Sequence, residues 1–505
     1  MHQVMDMDMD MVLVMIKTKN RTRMAGYNKF ILLLLCLCWL PSVLAVDNRL
    51  EKSISAKTIY TDNAGLKETN KKGDLILSVT PQLSLHREAA RSRVDLITAL
   101  ELNSQNEGGE NFNPRLQFDS NWEFYEDHFF LDLDATAMQN SNDPFDSNAF
   151  DTVNTGNGVV TTYNMDISPY IVNHFRRYAD LETRYTYNHQ ISSGGDAEDS
   201  SSNLFAISLN SGKAFSRYFW GLHYTKEDQS YDETDNGLDT ENFDVNMGYA
   251  INRSWRVNGT VGYEDNSFVT NRSTTNGATW SSDVTWTPSA RTSLTVGYGD
   301  RFFGNTPSLD FEHRFRRSVI TVSYSKELTN SSRLLGDQEV FQVVDQFGNV
   351  IVNPATGTPF LVTSNQTALN DNSFIDERVE GSYTYQGRRM SLTWDVSYST
   401  QTDEVGVNGG VDSTLFDTSL SFSRSLSREN ELTSSIRYNQ AQEGSGADSD
   451  RHQFNLGWSH LLAAETSLDI GYSYSKQNAD DMTVFSTANS YTENRISIGF
   501  SHQFK

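Results

Sequence analysis

From about residue 53 to its end the chain repeats one pattern: ten to fourteen residues in which apolar and polar side chains alternate, then a connection, then another such stretch. In Met390–Tyr398 one face carries Met390, Leu392, Trp394, Val396 and Tyr398, and the other carries Ser391, Thr393, Asp395 and Ser397. Leu468–Tyr474 divides Leu468, Ile470, Tyr472 and Tyr474 from Asp469, Gly471 and Ser473, and Leu294–Tyr298 follows the same rule. A period of two is that of a β-strand with one apolar and one polar face. A soluble sandwich alternates too, but its strands average about five or six residues. Stretches twice that length, with aromatics near their ends, fit a transmembrane barrel whose apolar face meets lipid and whose polar face meets a wet lumen. Composition agrees: 28 Phe, 22 Tyr and 8 Trp against only 9 Pro. The body of the chain has no 20-residue apolar run, which excludes helical spans there.

The connections fall into two classes. Short turns, many holding Arg, occur at Arg87–Arg93, Glu126–His128, His174–Arg177, Phe215–Arg217, Asn252–Ser254, Pro288–Arg291, Phe315–Ser318, Gln386–Arg389, Leu426–Glu429 and Leu462–Glu465. Longer connections rich in Asp, Asn, Ser and Gly lie between them, among them Asn103–Asn113, Asn140–Gly158, Ser192–Asn203, Lys226–Asp239, Asp265–Gly277 and Asn478–Asn489. Outer-membrane barrels have short periplasmic turns and long outer loops. The alternation therefore predicts an all-β, antiparallel up-and-down barrel of about 22 strands with both termini periplasmic.

The N-terminus reads as an export signal. Lys17, Lys19, Arg21, Arg23 and Lys29 precede the apolar Phe30–Leu40, and Pro41-Ser-Val-Leu-Ala45 supplies small residues for cleavage after Ala45. Residues 1–45 are thus assigned to the signal peptide, with Met24 an alternative start, and 46–505 to the barrel. A membrane anchor is the competing reading, for which the apolar core is short. Both cysteines, Cys36 and Cys38, lie in this segment, so the exported chain has no thiol. Few residues separate Val46 from the first strand, which leaves no room for an N-terminal plug. At the other end Ile496, Ile498, Phe500 and Phe504 share one face and resemble the terminal signal read by barrel-insertion machinery, although Lys505 follows the last Phe.

A formal charge of −24 argues against nucleic-acid binding. Arg176, Arg177, Arg217, Arg253, Arg291, Arg316, Arg317, Arg388 and Arg389 would ring the periplasmic mouth, either to anchor the barrel at headgroups or to draw in anionic solute. Residues 329–372 break the regular spacing. They form a long outer-side insert with a hairpin about Asp345–Asn349, expected to constrict or cover the pore. No catalytic, cofactor or metal constellation stands out. Asp232–Gly237 approaches a Ca²⁺ loop but has Thr at the third position and Phe243 at the twelfth.

Tyr60-Thr-Asp-Asn63, Asp74-Leu-Ile-Leu-Ser-Val-Thr-Pro81, Asp345-Gln-Phe-Gly-Asn349 and Asn353-Pro-Ala-Thr-Gly357 resemble the β-barrel porin family associated with exosortase/PEP-CTERM exopolysaccharide loci. The resemblance implies an outer-membrane protein, in contact with lipid and lipopolysaccharide, that works beside polysaccharide export components; it carries over no catalytic residue. Three functions follow for comparison: a porin-like channel, a non-conducting structural or adhesive barrel with acidic outer loops, and the sleeve of an electron conduit.

Overall fold

The computed structural model describes residues 45–105, 109–141, 159–193, 198–232, 234, 236–336, 371–404, 412–444, 447–479 and 490–504. They form 23 antiparallel strands in one closed sheet. In chain order these are β1 (Ala45–Thr61), β2 (Asp74–Ala89), β3 (Ser92–Gln105), β4 (Gly109–Tyr125), β5 (Phe129–Ser141), β6 (Val159–Phe175), β7 (Ala179–Ser193) and β8 (Ser200–Ser211). Then come β9 (Tyr218–Tyr231), β10 (Leu238–Ala250), β11 (Trp255–Ser267), β12 (Asn276–Ser289), β13 (Thr292–Arg301), β14 (Gly304–Asn305), β15 (Ser308–Arg314) and β16 (Ser318–Asn330). A short helix α1 (Ser331–Gly336) precedes β17 (Ser373–Gln386), β18 (Met390–Asp403), β19 (Ser413–Ser425), β20 (Asn430–Glu443), β21 (Ala447–Ala463), β22 (Thr466–Ala479) and β23 (Tyr491–Phe504). The two residues of β14 continue β15 along β13, so the wall has 22 staves.

Each stave pairs with the next in sequence, and β1 pairs with β23 to close the ring. All ten short turns fall where the sequence places them, at the end of the barrel that carries Ala45 and Phe504. The opposite end departs from expectation. Several Asp- and Asn-rich runs read as loops continue the ladder: β3 and β4 stay paired to Gln105 and Gly109, and β9 runs to Tyr231. Backbone pairing satisfies these polar residues as well as water would, so composition alone misplaces their strand ends.

The pleat separates two chemistries. Outward positions hold Phe243, Val261, Trp280, Tyr298, Ile436, Ile496, Ile498, Phe500 and Phe504, all exposed. Aromatic pairs mark two levels on this face. Tyr218 and Tyr249 (4.9 Å) and Trp255 and Trp286 (5.8 Å) sit near the turns. Phe205 and Tyr224 (6.5 Å) and Trp280 and Tyr298 (6.1 Å) sit farther along. On β11, Trp255 and Tyr263 are about 26 Å apart along the strand at ~3.3 Å per residue. At a strand tilt of about 40° that is about 20 Å of depth, which fits within an apolar band of about 25 Å. The inward face is polar, so no large apolar core exists; the apolar clusters among the described residues are small.

Candidate functional site

The mouth opposite the short turns is crossed by protein. Asn330, the last residue of β16, donates from Nδ2 to Gln229 Oε1 on β9 (2.7 Å), and both are buried. Six strand spacings separate β9 from β16, which is about 29 Å of wall at ~4.8 Å each. The contact requires the outer end of the β16–β17 hairpin to leave the wall and cross the lumen. Leu328 and Ile375 confirm the bend. They belong to the lipid-facing set by pleat, yet they are buried against Leu238, Phe268, Phe302 and Phe303. Helix α1 continues the crossing. Asn330 Oδ1 caps it by accepting from Arg333 N (3.0 Å). Arg333 then pairs with Glu227 of β9 (2.7 Å), Ser332 bonds Ser200 of β8 and Tyr231, and Leu335 packs on Val160 of β6.

Loops from other staves lock this bar in place. Glu264, 1% exposed, accepts from Arg301 (2.6 Å) and from Phe302 N (3.0 Å), which sets the two Phe rings over the hairpin. Arg272, in the β11–β12 loop, binds Glu404 beyond β18 with Nη2 to Oε1 at 2.8 Å. Its guanidinium is pushed above the usual arginine range, first by that hydrogen bond. Thr270 and the backbone N–H of Asn271 also donate to Glu404.

Below the mouth the wall is polar and acidic. Register places Asp95, Asp119, Asp134 and Asp166 directly opposite one another on β3, β4, β5 and β6. Wall arginines are tied to carboxylates: Arg184 to Asp132 (2.7 Å), Arg378 to Asp376 (2.9 Å), Arg437 to Asp417 (2.7 Å) and Arg495 to Glu493 (2.7 Å). Arg184 also lies 3.8 Å over the Tyr170 ring.

The sequence-derived residues distribute as follows. Arg176, Arg177, Arg217, Arg253, Arg291, Arg316, Arg317, Arg388 and Arg389 all lie in turns at one end, separate from the mouth. Arg176 holds φ at 56°, a left-handed turn position that non-glycine residues rarely occupy. Ile496, Ile498, Phe500 and Phe504 share the outward face of β23 and are 47–54% exposed. Ala45 begins β1, and residues 1–44 lie outside the described residues. So does the hairpin about Asp345–Asn349; of the insert, its stem is described. In the Asp232–Gly237 loop, Thr234 donates to Glu198 and Asn236 to Asp371. Among the described residues no group of three acidic, His or Cys side chains is arranged for a metal ion.

The Tyr60–Asn63 motif closes the ring. Thr61 Oγ1 donates to Glu493 (2.5 Å), Asp62 accepts from the backbone and side chain of Asn494 (2.8 and 2.7 Å), and Asn63 Nδ2 donates to Thr492 O (3.0 Å). Sequence reasoning missed the crossing helix, although Asn330 before Ser-Ser-Arg-Leu-Leu-Gly336 is a recognisable capped turn.

No protein-family model matches the chain, and no curated protein matches it by sequence. Solved structures do. The FrpB iron transporter of Neisseria meningitidis (F5-1 variant) aligns over 91% of this chain and 83% of its own, with TM-score 0.50 and 9% identity. The siderophore receptor PirA aligns from Acinetobacter baumannii over 90% and 80% (TM-score 0.48, 9% identity) and from Pseudomonas aeruginosa over 91% and 81% (TM-score 0.44, 10% identity). At such identity the FrpB likeness shows the fold alone: a large barrel of the outer-membrane kind.

Proposed function

We propose that the chain is an outer-membrane channel of the porin kind, constricted at its outer mouth by the stem of its insert. The carrying observation is the contact of Asn330 and α1 with β6, β8 and β9 across a polar lumen. In this reading the arginine turns face the periplasm, the terminal Ile and Phe face guides insertion, and the surroundings are lipid and lipopolysaccharide. The resemblance to the exosortase-associated family adds polysaccharide export components as neighbours and a glycan or other hydrophilic solute as cargo. The iron transporter and siderophore receptors share the architecture without adding a substrate.

Planar-bilayer recording tests the channel. Purified native barrel should give ohmic steps, and replacing residues 331–372 with an Asn-Gly turn should enlarge them severalfold. Silence in both proteins would remove the channel in favour of a structural or adhesive barrel.

A further inference from the structure

We propose that the lumen selects for cations, including ammonium-bearing solutes, and disfavours anionic ones; this rests on the channel reading above. The property belongs to the wall as a whole. Inward positions are fixed by one continuous register, and carboxylates outnumber basic groups among them. The basic groups are largely neutralised where they stand, as in the Arg184–Asp132 and Arg437–Asp417 pairs. Lys57 faces Glu101 and Asp469, and Arg115 pairs with Glu101. What is left over is negative.

The aspartate row concentrates that surplus at Asp119, Asp134 and Asp166, since Asp95 is already paired with Arg93 (2.6 Å). Directly opposed side chains on neighbouring strands lie about 5 Å apart at Cβ, and like charges there are destabilising. At Asp134 both opposed neighbours, Asp119 and Asp166, are carboxylates. A wall meant only to hold itself together would carry Asn or Ser at one of these places, as it does next in the same row at Asn188 and Ser202. At the row's edge the wall already holds a cation of its own. Arg184 is seated on the Tyr170 face and bound by Asp132, an arrangement that shows what a guanidinium or ammonium group finds there. Rows of acidic side chains select cations in channels by this electrostatic route. Between the arginine turns and the outer mouth, an anion entering from the turn end would meet this wall. Among glycans the wall therefore favours chains with free amines over uronates.

The test is a reversal-potential measurement on the full barrel, native and Asp119→Asn/Asp134→Asn, across a KCl gradient. Native protein should pass K⁺ severalfold better than Cl⁻, and the variant should lose a measurable part of that preference. The variant should also melt higher, since it relieves opposed like charges, which guards against misfolding as the explanation. A native ratio at or below one overturns cation selection while the conducting channel stands, and a ratio unchanged in the variant overturns the aspartate row as its source. If neither the native barrel nor the 331–372 replacement conducts, the channel reading fails by itself. The wall is then read by calorimetric titration with spermine at low salt: binding lost in the variant supports the acidic lumen, and equal binding by both proteins overturns it.

Discussion

Glu264 shows what single residues contribute at the mouth. It is nearly inaccessible and takes bonds from Arg301, Phe302 N and Asn266. Arg301→Ala leaves a buried carboxylate without its counter-charge, and breaking such a pair costs about 3–5 kcal/mol. Urea unfolding followed by gel mobility should show a loss of that order, and adding Glu264→Gln should restore most of it because the uncompensated charge is gone. A loss under about 1 kcal/mol would mean the pair does not hold the Phe302 turn. None of this was readable in the sequence, where Glu264 is one of many acids on an alternating strand. The aspartate row was equally hidden. Its members are far apart in sequence, and only the register, set by turn geometry, brings them side by side.

Among the elements, the β16–β17 hairpin behaves unlike the rest. Its inner half is ordinary wall and its outer half is the bar across the mouth. Alternation along β16 and β17 puts Leu328 and Ile375 on the lipid-facing side, because alternation reports a face and not where the strand goes. Tertiary packing against Phe268, Phe302 and Phe303 overrides it. The crossing can be checked chemically, since the only cysteines are Cys36 and Cys38. In a barrel lacking these two, Val160→Cys with Leu335→Cys should be joined by a short bifunctional thiol reagent almost completely, and each single variant should not. Absence of the link would return the stem to the outside of the barrel. The turns, by contrast, were legible almost residue by residue, because Gly, Asn, Pro and Arg clusters interrupt an otherwise unbroken period.

At the scale of the whole molecule, the barrel is an oriented division between a lipid-facing skin and a charged interior. Neighbouring positions should therefore differ sharply. Val284 points outward between the levels of Trp280 and Trp286, whereas Thr285 points into the lumen. Val284→Arg should cost about 2–4 kcal/mol in lipid, and Thr285→Arg close to nothing. Equal costs by equilibrium unfolding in liposomes would invalidate the assignment of faces. The ring closure has a further consequence, in time. Every other stave pairs with its immediate successor, but Thr61 and Glu493 meet across 432 residues. The hairpins can form as the chain emerges, while the last seam must wait for the final strand. Until then the nascent sheet has two bare edges, and the Thr-Asp-Asn cluster at the end of β1 lacks its partners on β23. Synthesis order thus makes the protein's first strand the last to be satisfied.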